Sequence, residues 1–180
     1  MRLVLVDRAP AVISALREAF APHPEVMVLC DSILAVAEGA VVSPANSYGY
    51  MDGGIDRAYV EAFGLDVEKR VQAAIDRQSN GMLPVGSALL VPSGHPRVPY
   101  LIVAPTMELP GPTTPAKVFF AMSALLNLIT RHPELTQVCC PGLGTGVGGV
   151  LPEDAAKEMV AAYAKWKARE ATSSGTTSRN

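Results

Sequence analysis

Residues 40–56 read AVVSPANSYGYMDGGID, and this stretch decides the fold class. Ala40 to Ser43 is an apolar run suited to a short buried strand, residues 44–53 are crowded with turn formers, and apolar spacing predicts a helix from about Ile55 to Phe63. The order is strand, glycine-rich loop, helix. Glycines directly before a helix let the backbone approach a ligand, and the helix's free N–H groups and dipole attract anions such as phosphate. Asn46, just after the strand, could hydrogen-bond a sugar hydroxyl or simply form the turn. Asp56, in the first helical turn, could act as a base, cap the helix or compensate its dipole. Spacing alone leaves these alternatives open.

A second unit of the same kind lies near the other end. Val138 to Cys140 reads as a strand, PGLGTGVGGVLP (residues 141–152) as a glycine-rich loop, and Glu153 to about Lys167 as a helix with Ala155, Met159, Ala162 and Trp166 on one face. Gly144, Gly146 and Gly149 match the G-x-G-x-x-G spacing of dinucleotide-binding folds, but no strand with an acidic end follows about twenty residues later, which disfavours a nicotinamide Rossmann domain. No G-x-x-x-x-G-K-[ST] occurs, so a P-loop is excluded.

Between and before these units the pattern continues. Strands are expected at 2–6, 26–30, 87–91 and 100–104, and helices at 10–20, from Asp66 as cap to about Ser79, and at 116–130, with a short helical segment from Asp31 to Gly39. Alternating strands and helices predict a three-layer α/β/α sandwich around a mixed, mostly parallel sheet. Ligands of such sheets sit at the carboxyl ends of strands, where both glycine-rich loops fall. Residues 1–168 are expected to form one domain and residues 169–180 a disordered polar tail.

The chain has 180 residues, 49% hydrophobic and 18% charged, with a net charge of −2. A core is affordable at this size, and scattered Lys and Arg mark no surface for nucleic acid or anionic lipid, so a small-molecule partner is expected. The five-residue apolar run before Asp7 is too short for a signal peptide or a membrane span, which points to the cytoplasm. Cys30, Cys139 and Cys140 have neither disulfide nor metal spacing and read as buried thiols in a reducing compartment. No cofactor or metal is expected. His23, His95 and His132 each neighbour a proline and read as solvated turn residues.

In order and spacing, Asp31-Ser32-Ile33 after a strand, then VVSPANS, then GGID, then PGLGTGVGG resemble the macrodomain family over about residues 26–166. The resemblance implies binding of ADP-ribose, free or protein-linked, and either hydrolysis of ADP-ribosyl esters (on acidic side chains or O-acyl-ADP-ribose) or a non-catalytic reader function. By the same resemblance Asp31, with Ser32 and Ile33, takes the adenine, and Asn46 positions the distal ribose. Gly53, Gly54 and Ile55 hold the proximal phosphate, Gly144, Thr145, Gly146, Val147 and Gly148 form the second phosphate loop, and Asp56 activates water. Three departures stand out. Ser43 replaces an asparagine, Gly148 stands where many members have an aromatic over the distal ribose, and the strand that often follows the last helix with an adenine-facing aromatic is missing. Tyr48 or Tyr50 could supply the closure, and the extra βα unit at 2–20 would bring Asp7 and Arg8 to the adenine end.

Overall fold

A computed structural model describes residues 1–176. Six strands, β1 (Arg2–Asp7), β2 (Met27–Cys30), β3 (Ala40–Ser43), β4 (Leu89–Pro92), β5 (Tyr100–Val103) and β6 (Gln137–Cys140), form one sheet in the order β2-β1-β6-β3-β5-β4. Every pairing is parallel except that of the edge strand β4 with β5. β6, last in the chain, is inserted at the centre between β1 and β3.

The strands alternate their side chains between two buried faces, as the pleat requires. Leu3, Leu5, Ala40, Val42, Ile102, Val138 and Cys140 pack on one side with helices α1 (Pro10–Ala19), α5 (Pro115–Thr130) and α6 (Pro152–Thr176). Val4, Val6, Val41, Leu101, Val103 and Cys139 face the other side, covered by α2 (Ile33–Val36), α3 (Gly54–Phe63) and α4 (Asp66–Asp76). This is the expected three-layer α/β/α sandwich with a mixed, mostly parallel sheet. Prolines open α1 and α5 at positions where a missing N–H costs nothing.

Four local expectations are corrected. Asp66 does not cap α4 but lies in its first turn and pairs with Lys69 at 3.0 Å, because Leu65 occupies the cap position. α6 continues past Lys167 to Thr176, where a polar tail was expected; Ala168, Arg169, Glu170 and Ala171 are good helix formers that propagate the preceding turns. Residues 177–180 of that tail lie outside the described residues. Cys30 is exposed at the end of an edge strand, whereas Cys139 and Cys140 are buried and burial pushes both thiols up. The three histidines are half-buried rather than fully solvated, and His23 packs against Phe20 and Tyr163. Among the described residues no helix is long and apolar enough to cross a membrane, and no cluster of His, Cys, Asp or Glu could hold a metal ion.

Candidate functional site

The loops that leave the carboxyl ends of β1, β2, β3, β5 and β6 surround a cleft of about 430 Å³. Its walls include each of the residues singled out by the sequence: Asp31, Ser32, Ile33, Asn46, Gly53, Gly54, Ile55, Asp56, Gly144, Thr145, Gly146, Val147 and Gly148. Parallel strands gather these loops at one edge of the sheet, which is why residues a hundred positions apart meet.

The two glycine-rich loops form opposite walls. Gly54 has φ +56°, a backbone that L side chains rarely adopt, and both Gly53 and Gly54 look across at Val147: a Cβ on either would lie 3.8 Å from its methyl. Among the described residues, the backbone N–H groups of Gly53, Gly54, Ile55 and Asp56 on one wall and of Thr145, Gly146 and Val147 on the other meet no acceptor. The first four are the orphan donors of a helix start. Among the described residues, Arg8 is the one cationic side chain on the cleft wall, and Asp7, Asp31, Asp52 and Asp56 are acidic. Attraction for an anion therefore has to come from backbone donors and the α3 dipole, not from a basic patch.

Asp7 ties the site together. Its Oδ1 accepts from Ala9 N–H at 2.9 Å, starting α1, and its Oδ2 accepts from Gly142 N–H at 3.2 Å, anchoring the second glycine loop to β1. Asp31 N–H donates in turn to the Asp7 carbonyl at 3.1 Å, and Asp31 Oδ1 accepts from Ser32 N–H at 2.6 Å. Asp7, Arg8 and Asp31 share one end of the cleft, as the extra βα unit had implied.

Asn46 is 5% exposed, and its carboxamide organises its own loop. Its oxygen accepts from Tyr48 N–H (3.1 Å) and Tyr50 N–H (3.2 Å), and its nitrogen donates to the Tyr50 carbonyl (2.8 Å). One amide hydrogen is left for a ligand. Asp56 is 7% exposed and reaches the cleft wall, yet it makes no capping bond at the start of α3. Burial pushes its carboxyl up to about 7, and the nearby Ser43 hydroxyl pulls the other way. Neither Asp56 Oδ1 nor Ser43 Oγ has a hydrogen-bond partner of ordinary geometry, and both atoms are sealed from solvent.

The Macro domain family model matches residues 42–159, which run from the end of β3 into the first turns of α6 and include both glycine-rich loops. The chain belongs to the Macro domain family. A protein of Aquifex aeolicus is 37% identical over 144 residues, covering 79% of this chain and 83% of that protein. The solved macrodomain of Mycobacterium tuberculosis DarG superposes with a TM-score of 0.64 at 24% identity, covering 75% of this chain and 87% of that one. Thermosipho africanus DarTG, solved in complex with ADP-ribose, superposes with a TM-score of 0.61 at 14% identity over 86% of this chain and 48% of that one.

One of the departures from the family pattern, Gly148, has a local physical explanation in this macrodomain. A Cβ on Gly148 would lie 2.6 Å from the Gly144 carbonyl oxygen and 2.7 Å from a Thr113 methyl, so position 148 points into the protein and has no room for an aromatic. The 104–114 loop fills that space: Thr113 N–H donates to the Gly148 carbonyl at 2.9 Å, and Met107 and Pro110 line the cleft beside Tyr50. Sequence signals this proline-rich loop only through its place directly after a parallel strand, the position from which ligand-binding loops arise. Of the two tyrosines considered for closure, Tyr50 is on the cleft wall, with Tyr48 stacked behind it at 6.1 Å between ring centres.

Proposed function

We propose that this chain binds ADP-ribose across the cleft and hydrolyses ADP-ribosyl esters, removing ADP-ribose from acidic side chains or from an acyl group. The binding half is supported by family membership, by the two facing sets of free N–H groups, which suit a diphosphate, and by relatives solved with this ligand. The adenine lies at the Asp31 end, where the carboxylate oxygen not bonded to Ser32 can accept from the base's amino group. Asn46 holds the ribose loop and offers its remaining N–H to a sugar hydroxyl. Gly53, Gly54 and Ile55 take the proximal phosphate, and residues 144–148 take the other.

One observation carries the hydrolytic half: Asp56 is a buried carboxyl without a capping partner, held near neutrality on the wall of a nucleotide-sized cleft. A group with no structural task and a pKa matched to the operating pH is suited to general base catalysis. Its carboxylate takes a proton from water as the water's oxygen bonds to the ester's reacting carbon; the ester C–O bond breaks with its electron pair leaving on the ester oxygen, which takes the proton back from Asp56 or leaves as a carboxylate, and ADP-ribose and the acid part. Asn46, committed to its own loop, favours a second reading in which the protein binds ADP-ribose and releases it unchanged. We further place the protein in the cytoplasm, a reading supported by three free cysteines.

Single-turnover release of ADP-ribose from a mono-ADP-ribosylated acidic side chain, with calorimetric titration of free ADP-ribose, tests both halves. Asp56→Ala is expected to slow release by about 10² to 10⁴ while affinity stays within a few-fold. No release by wild type, with binding intact, establishes the reader.

A further inference from the structure

Ser43 at the end of β3 and Asp56 in the first turn of α3 each carry a buried oxygen without a hydrogen-bond partner, and the Ser43 hydroxyl is close enough to act on the Asp56 carboxyl. Ser43 ends β3, is 1% exposed, and has its backbone fixed by the sheet: it is paired with Val103, and its carbonyl accepts from Ala104 N–H at 3.0 Å. Tyr59, one turn beyond Asp56 and fully buried, donates its hydroxyl to the Val42 carbonyl at 3.0 Å, which pins α3 to the residue next to Ser43. The helix and the strand are thus clamped at the point where the two unpartnered atoms lie. Ser43 is absent from the cleft wall and Asp56 is on it, so Ser43 stands behind the carboxyl.

We infer that Ser43 is a positioning residue for Asp56: its hydroxyl rotates to donate to Asp56 Oδ1 when the carboxyl is ionised, and this bond holds the carboxylate toward the cleft. The inference deepens the hydrolytic reading and rests on it for its consequence in turnover. A hydroxyl can donate or accept by rotation alone, so the pair tolerates both protonation states of Asp56 without moving the backbone. The other groups around it offer no such help. Tyr59 on the same helix is already committed to Val42, and both burial and the Asp56 charge push its phenol further up; Cys139 on β6 packs on the same side of the sheet as Tyr59, while Cys140 faces the other side; Asp52 in the preceding loop is a like charge on the same cleft. Burial opposes ionisation of Asp56, and Ser43 favours it. Loss of the hydroxyl leaves a buried charge without a donor, which favours the protonated acid.

The test is a carbon-13 NMR titration of the Asp56 carboxyl in the whole chain without ligand. In Ser43→Ala, which removes the hydroxyl and adds no bulk, the midpoint is expected to rise by about 1 to 2 pH units, the equivalent of one charge-assisted hydrogen bond. Ser43→Cys, of similar size with a weaker donor, should give an intermediate rise and serves if the alanine variant does not fold. The acid limb of ADP-ribose release should shift with the midpoint. An unchanged midpoint in a folded variant overturns the pairing even if wild type is an active hydrolase. A shifted midpoint in a protein that releases nothing at any pH upholds the pairing and removes the hydrolytic reading instead.

Discussion

A carboxyl buried without a partner is a burden on the folded state, and Asp56 shows its size. Its pKa is raised from 3.8 to about 7, so the folded protein binds that proton more tightly than the unfolded chain does. The associated stability is fully present below pH 3.8 and is lost as pH rises toward 7; above pH 7 the ionised group has given up on the order of 4 kcal/mol. Asp56→Asn, neutral at every pH, is therefore expected to be more stable than wild type at pH 8, with the advantage shrinking as pH falls to 4.5. Urea unfolding of both proteins at several pH values checks this; parallel curves would mean that Asp56 is not ionised in a buried site. Had Asp56 been the helix cap that its position also allowed, the same substitution would have been nearly neutral at every pH, because asparagine caps a helix about as well as aspartate. Sequence could name both roles and choose neither, because the choice depends on whether the side chain turns back to its own helix or inward to Ser43.

The glycine loops are legible in sequence as elements, since a strand, a run of glycines and a helix follow one another without interruption. What they face is not legible. Gly54→Val illustrates the first point. At φ +56° the β-branched residue is strained, and its side chain enters the gap before Val147, so binding of any diphosphate ligand is expected to vanish while the sheet survives. Circular dichroism with ADP-ribose titration separates loss of the site from loss of the fold. Gly148→Tyr illustrates the second. From sequence it looks like restoration of a family aromatic over the ribose. Because a Cβ there meets the Gly144 carbonyl and Thr113, it should instead displace the 104–114 loop and lower the melting temperature, with weaker ADP-ribose binding. A gain in affinity would refute that packing. Thr113 and Gly148 are 35 residues apart, and nothing in composition or periodicity ties them together; only the fold brings the loop after β5 against the loop after β6.

At the scale of the whole molecule, the alternation of strands and helices was readable from hydrophobic period, and so was the class of sheet. The strand order was not, because a period says which faces are buried and nothing about which neighbour buries an edge. The unread fact is the position of β6 between β1 and β3. A chain cut after Leu135 keeps five of the six strands but loses the one that joins β1–β2 to β3–β5–β4. It is expected to show no cooperative melting, whereas a chain cut after residue 168 should melt near wild type, because Trp166 still donates to Thr130 and Lys167 still pairs with Glu25. A cooperative transition in the shorter chain would show that half of the sheet is stable alone. The same insertion governs events on the ribosome. While the first 130 or so residues emerge, two sheet fragments hold unpaired inner edges and wait for a partner that has not yet been synthesised. The nascent chain gains both its central strand and its second glycine-rich loop within one short stretch of translation, so closure of the sheet and completion of the cleft coincide in time.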